Sequence, residues 1–81
     1  MTRQEVNKII VEEELKHFNW NEKRDLKENE VGIKFENSQW IVFVTDERAS
    51  IVSGSVAEFN SENDALDNFI SRVRTEKILD F

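Results

Sequence analysis

The sequence predicts a small α+β domain in which two helices pack on one face of an antiparallel β-sheet. Apolar residues recur at helical spacing near both ends of the chain, and between them the apolar period changes to two from about residue 30 onward. The length of 81 residues suits one compact domain with one hydrophobic core, spanning residues 1–81. The expected order is helix, three-stranded or four-stranded meander, helix.

The first helix is expected over about residues 3–17. Thr2 and Glu5 have the spacing of a capping box, in which each side chain accepts a hydrogen bond from the other residue's backbone N–H. The helix should therefore begin at Arg3. Its apolar residues fall at near-helical spacing on one side; they are Val6, Ile9, Ile10 and Leu15.

The segment after Phe18 loses this pattern. It is rich in asparagine and charged residues, so that only Trp20 and Leu26 are candidates for burial. From Trp20 to Leu26 the chain is either a loop or a short edge strand, and the second alternative would make the sheet four-stranded.

Three strands are expected in the middle of the chain, joined as an antiparallel meander. Residues 31–35 alternate apolar with other residues, as in a strand with one buried face, and residues 36–39 form a turn. Residues 40–44 are apolar on both faces and read as the central strand. Residues 50–56 return as the third strand, with a bulge or a close backbone approach at Gly54.

The second helix is expected over about residues 62–76. Ser61 and Asp64 give an N-terminal cap signal, and negative charge in the first turn suits the helix dipole. Its apolar residues recur at i, i+3, i+4 and i+7; they are Leu66, Phe69, Ile70 and Val73. The simplest packing that buries both apolar stripes places the two helices on the same face of the sheet.

Composition limits the classes of function. There is no cysteine, which excludes disulfides and thiolate ligands. Seventeen acidic against eleven basic residues give a net charge of −6, which opposes nucleic-acid binding and favours either plain solubility or a basic partner. We expect a soluble cytoplasmic protein, because the N-terminus is polar and no apolar run approaches the roughly 18 residues that span a membrane.

Residues that could carry chemistry are few. His17 is the only histidine, and we interpret it as a helix C-terminal residue rather than a base or a metal ligand. No carboxylate lies within an apolar stretch that would raise its pKa. Gly32 and Gly54 are isolated within strands, so there is no phosphate-binding loop. The sequence therefore predicts no catalytic site, no cofactor and no metal, and a protein that acts by binding.

Two groups of charged residues and one tryptophan are candidate contacts. The tip sequence Asp46, Glu47 and Arg48 lies between two apolar strands, either as a solvated turn or as a protrusion that meets a basic surface. If the acidic residues around the second helix face the same side as the tip, the surface would carry a negative electrostatic potential like that of nucleic-acid phosphates. The basic cleft of a nuclease could accept such a surface. Trp20 is either an exposed contact or a lid over the core. The acidic residues in question are Glu58, Glu62, Asp64 and Asp67.

Three segments carry a resemblance to a known family: Gly32-Ile33, residues 39–49 (QWIVFVTDERA) and residues 65–70 (ALDNFI). Together they resemble the immunity protein 59-like family, short bacterial immunity proteins found beside polymorphic secreted toxins. The similarity covers about residues 30–74. It implies a protein that stays in the cytoplasm of the producing bacterium and occludes a cognate toxin, but it assigns no binding surface residue by residue.

An acidic inhibitor suits a basic target, so a nuclease is the natural candidate for the toxin, bound by a monomer or a weak homodimer. The alternative function is a small regulatory or adaptor domain that pairs with a housekeeping protein, or with itself, through an exposed strand edge. On that reading, Lys34 and Glu36 are charges that protect the edge.

Overall fold

The computed structural model describes the backbone of residues 1–79 and the side chains of residues 1–76. A mixed four-stranded sheet carries two helices, which confirms the α+β prediction. The sheet order is β1-β2-β3-β4, and a 3₁₀ turn, Ser53–Ser55, precedes β4. The elements in chain order are α1 (Arg3–Glu13), β1 (Phe18–Trp20), β2 (Val31–Glu36), β3 (Gln39–Val44), β4 (Ala57–Phe59) and α2 (Glu62–Leu79).

Strands β2, β3 and β4 form the expected antiparallel meander. The fourth strand exists, but it occupies Phe18–Trp20, and residues 21–30 form a long loop to β2, here called the β1–β2 loop. Strand β1 is parallel to β2 because this loop returns the chain to the end at which β1 began. Strand β2 therefore has a neighbour on both sides over residues 31–33. Beyond the end of β1, Lys34 forms an ion pair with Glu36 at 3.0 Å.

The third strand predicted at residues 50–56 is wrong, because β4 begins only at Ala57. The N–H of Val44 donates to the hydroxyl of Ser55 at 3.0 Å, where a paired strand would offer a backbone carbonyl. Only the Thr45–Ile51 bridge continues the ladder before the chain bulges outward through the 3₁₀ turn. The strand bulge or close approach expected at Gly54 is wrong as well, because Gly54 lies in the 3₁₀ turn and a Cβ added there would meet no atom within 4 Å.

Helix α1 ends at Glu13, four residues earlier than predicted. Glu14 adopts the left-handed conformation with φ 53° and ψ 46°, and the N–H of Leu15 reaches back to the carbonyl of Ile10 at 3.1 Å. This is a Schellman motif, which satisfies helix-end carbonyls and turns the following apolar residue inward. Leu15 is consequently buried.

The starts of both helices follow the sequence signals. The capping box at Thr2 is formed. The N–H of Glu5 donates to the Thr2 hydroxyl at 3.2 Å, and the N–H of Thr2 donates to the Glu5 carboxylate at 3.1 Å. Helix α2 begins at Glu62, as predicted, and runs to Leu79. An ion pair between Arg74 and Glu13 joins the helices through two hydrogen bonds of 3.0 and 2.6 Å, and this contact raises the pKa of Arg74.

The core lies between the two helices and one face of the sheet. Val31, Ile33 and Val42 point to this face, since Ile33 and Val42 are cross-strand partners. Buried residues of both helices belong to the same cluster, so both helices lie on one face of the sheet, as expected. The helical members are Val6, Ala65, Leu66, Phe69, Ile70 and Val73.

No helix of the described residues covers the opposite face, but this face is partly covered by side chains. Phe43 points to this face and is only 3% exposed. Its ring lies directly over Gly32, so close that a Cβ at residue 32 would be 2.2 Å from the ring. The ammonium of Lys34 lies 5.6 Å from the ring centroid, and Leu26 of the β1–β2 loop lines the same hollow.

Candidate interaction surface

The tip between β3 and the 3₁₀ turn is a compact hydrogen-bonded turn. The Asp46 carboxylate accepts hydrogen bonds from the backbone N–H groups of Arg48 at 2.8 Å and Ser50 at 3.1 Å. Asp46 therefore shapes the turn with its own side chain, as aspartate does in many turns. Glu47 and Arg48 are exposed, so these are the two side chains that the tip presents to solvent.

The tip forms one wall of an open groove of about 680 Å³, and the β1–β2 loop forms the other. Charges of both signs line it, and the groove is therefore polar rather than an apolar ligand pocket. The charged residues are Arg24, Lys27, Glu28, Glu30, Glu47 and Arg48, and His17 also lines the groove.

The carboxylate of Glu30 lies at the base of this groove and is 2% exposed. Arg24 donates to its two oxygens at 3.0 and 3.4 Å, and the N–H of Lys27 donates at 3.3 Å. The hydrogen bond and the charge of Glu30 raise the pKa of Arg24. Sequence reasoning missed this pair because nothing in the charged run distinguishes Glu30 from its exposed neighbours.

Thr45 connects the groove walls. Its buried hydroxyl donates to the carbonyl of Lys27 at 2.7 Å and accepts from the N–H of Glu30 at 2.9 Å. The N–H of Asn29 donates to the carbonyl of Asp46 at 3.0 Å. The β1–β2 loop is thereby bonded to the base of the tip, which fixes the width of the groove.

The second group of acidic residues does not join the tip. Glu62 and Asp64 follow β4, whose last residue Phe59 pairs with Trp40, whereas the tip follows the other end of β3. Five residues of strand separate the two ends, about 17 Å at 3.3 Å per residue. Glu62 is paired with Arg3 at 2.7 Å, while Asp64 and Glu58 are exposed. Glu58 lies between the two ends, on β4 opposite Ile41.

Trp20 is half-buried and packs against the core, so it covers part of the core and keeps part of its surface accessible. It lines a shallow pocket of about 290 Å³ with Trp40, Asn21, Arg3 and Glu62. The structure thus brings Trp20 and Glu62 together, away from the tip.

His17 does not lie at a helix C-terminus, because α1 ends four residues before it; this corrects the dipole interpretation. It has φ 63°, and its carbonyl accepts a hydrogen bond from Val31 at 2.9 Å, which starts the parallel pairing of β1. Among the residues that the structure describes, no group of three or more histidine and carboxylate side chains could hold a metal ion. No helix within them is long and apolar enough to cross a membrane.

A family model described as immunity protein 59 matches residues 2–79. The chain belongs to the immunity protein 59 family. The match confirms the resemblance found in the sequence and extends it over α1, beyond the segment of residues 30–74. No curated protein and no solved structure matches the chain significantly.

Proposed function

We propose that this immunity protein 59 family member neutralises a cognate bacterial toxin by binding it and blocking it, without catalysis of its own. The observation that carries the proposal is the family match over residues 2–79, nearly the whole chain. A protein of this size can bury an interface of about 1,600 Å² in total, enough for a stable complex. Binding would take place in the cytoplasm of the producing cell.

The net charge of −6 supports a basic target, for which a nuclease is the natural candidate. Complementary charge raises association rates above those of neutral surfaces and makes them sensitive to salt. Two of the proposed contact residues also interact within the chain: Asp46 accepts hydrogen bonds in its own turn, and Glu62 forms an ion pair with Arg3. The proposed contact residues are Trp20, Asp46, Glu47, Arg48, Glu58, Glu62 and Asp64.

The adaptor alternative receives less support from the sheet. Strand addition needs an accessible edge, and the two edge strands, β1 and β4, are only three residues long each. Short edges are a common protection against unwanted pairing.

The test is co-expression of this chain with the toxic C-terminal domain that we expect to be encoded directly before its gene. We expect cells to survive only with the immunity protein present, and the two proteins to co-purify in a complex that weakens as salt rises. Continued killing, with no complex at low salt, would refute the proposal. Recovery of only a housekeeping protein, or of a second copy of the chain, would favour the adaptor function.

The tip can be tested in the same assay by changing Glu47 and Arg48 to alanine. Asp46 should be changed to asparagine, which keeps an oxygen for the N–H groups of the turn. Lys8 and Glu12, exposed on α1, provide a control pair with the same two charges. Loss of binding in the tip variants alone would support the tip as a contact, and equal binding in all variants would remove it from the proposed surface.

A further inference from the structure

The bulge before β4 is unusual in composition and exposure. Residues 49–57 contain no charged residue, in a chain of which 35% is charged. Residues 51–56, here called the apolar lip, carry three large apolar side chains that remain exposed: Ile51 at 37%, Val52 at 41% and Val56 at 42%. Among the described residues, the other large apolar side chains exposed in this way are Val11 and Phe35.

The apolar lip is held in place by several hydrogen bonds. The Ser55 hydroxyl donates to the carbonyl of Val52 at 2.6 Å, and the N–H of Val52 donates to the carbonyl of Val44 at 3.0 Å. From below, Arg72 of α2 donates to the carbonyl of Ser55 at 2.6 Å. A segment that is already ordered loses little conformational entropy when it binds, so more of the contact energy is available as affinity.

Exposed apolar side chains on a segment that hydrogen bonds hold in place are a common feature of interaction sites. The tip lies beside the apolar lip through the Thr45–Ile51 bridge, and Glu58 follows Val56 after one intervening residue. An apolar centre with a charged border is the usual anatomy of a protein interface.

The exposed border is acidic on balance, because Glu47 and Glu58 outnumber Arg48. The complementary partner is therefore a protein surface with an apolar depression bordered by lysine or arginine side chains.

We propose that the apolar lip is the energetic centre of the toxin-binding surface, and that Glu47, Arg48 and Glu58 steer and align the toxin around it. This inference rests on the proposed function and narrows it. It places Trp20, Glu62 and Asp64, at the far end of the sheet, outside the main contact.

The test measures the affinity of Val52→Thr and Val56→Thr for the toxin domain encoded beside this chain. Threonine has nearly the shape of valine, so the change adds a hydroxyl that an apolar depression would leave without a partner. We expect each substitution to weaken binding by about tenfold or more, and the double variant by about a hundredfold. The control is Val11→Thr on α1, at a valine that is 74% exposed, with affinity expected within about twofold of wild type.

Thermal unfolding of the four variants separates an effect on the contact from an effect on the fold. We expect similar melting temperatures, because each side chain already meets water. Wild-type affinity in the Val52 and Val56 variants would overturn the inference while leaving the proposed function intact. Loss of binding that accompanies a large drop in melting temperature would also overturn it, since the apolar lip would then be structural. A wild-type chain that neither binds the domain nor protects cells would overturn both.

Discussion

The sharpest prediction on stability concerns the two glycines, because the structure gives them opposite surroundings. A Cβ at Gly32 would lie 2.2, 2.5 and 2.8 Å from three ring atoms of Phe43, where ordinary contact begins near 3.4 Å. The ring would have to retreat by roughly 1.2 Å, the difference between 3.4 and 2.2 Å. It is 3% exposed and lies among packed neighbours, so it cannot simply rotate into water.

Overpacking of this kind costs about 1–3 kcal/mol, and we expect Gly32→Ala to be near the upper end, at about 2–3 kcal/mol. For a domain of this size that corresponds to a fall in melting temperature of about 10–20 °C. The matched control is Gly54→Ala, which meets no atom within 4 Å and should be neutral or stabilising by up to about 1 kcal/mol.

Urea unfolding of both variants measures the difference, and we expect the midpoint of Gly32→Ala to fall by about 1–2 M. Adding Phe43→Leu should restore part of the stability, because the shorter side chain makes room for the new methyl group. Equal midpoints for Gly32→Ala and Gly54→Ala would refute the packing described for this face, as would a double variant less stable than Gly32→Ala.

Three further predictions concern local stability and can be measured by the same unfolding assay. Glu14→Gly should stabilise the protein by about 0.5–1 kcal/mol, because glycine adopts the left-handed conformation without strain; a loss of stability would contradict the Schellman motif. Thr45→Val should cost about 1–3 kcal/mol by leaving the buried N–H of Glu30 and the carbonyl of Lys27 without the threonine hydroxyl. Thr75→Val on the exposed side of α2 should change stability by less than about 0.5 kcal/mol. A double-mutant cycle of Glu13→Ala and Arg74→Ala should give a coupling free energy of at most about 1 kcal/mol, because both side chains are about 40% exposed. This coupling should shrink in about 1 M salt. A larger value that does not depend on salt would indicate a buried ion pair instead.

The helix starts and the central hairpin were predictable because their signals are local. The capping box at Thr2 and the alternation in β2 each depend on residues a few positions apart. The end of α1 was not predictable in the same way, since Glu14 occupies a left-handed position that glycine usually fills.

Strand β1 and the true start of β4 depend on distant partners. Strand β1 is three residues long and pairs with residues thirteen positions later in the sequence, so no local period reveals it. The expected third strand failed because the Ser55 side chain replaces a backbone bond to Val44, and composition does not show such a substitution.

The candidate surface was predicted only in part. The charged tip could be located because three charged residues separate two apolar segments, but the role of Asp46 in holding the turn required its hydrogen bonds. The exposure of Ile51 and Val52 was not predicted, because these residues have the composition of a buried strand. The available cue was the absence of charge over residues 49–57.

The measurement that tests the central claim most directly is titration of the toxin domain's own activity with purified immunity protein. We expect activity to fall in proportion to added protein and to reach zero near one equivalent, with the inhibition weakening as salt rises. Full toxin activity in the presence of a large excess of folded protein, at low salt, would contradict the claim that this chain neutralises its toxin by binding.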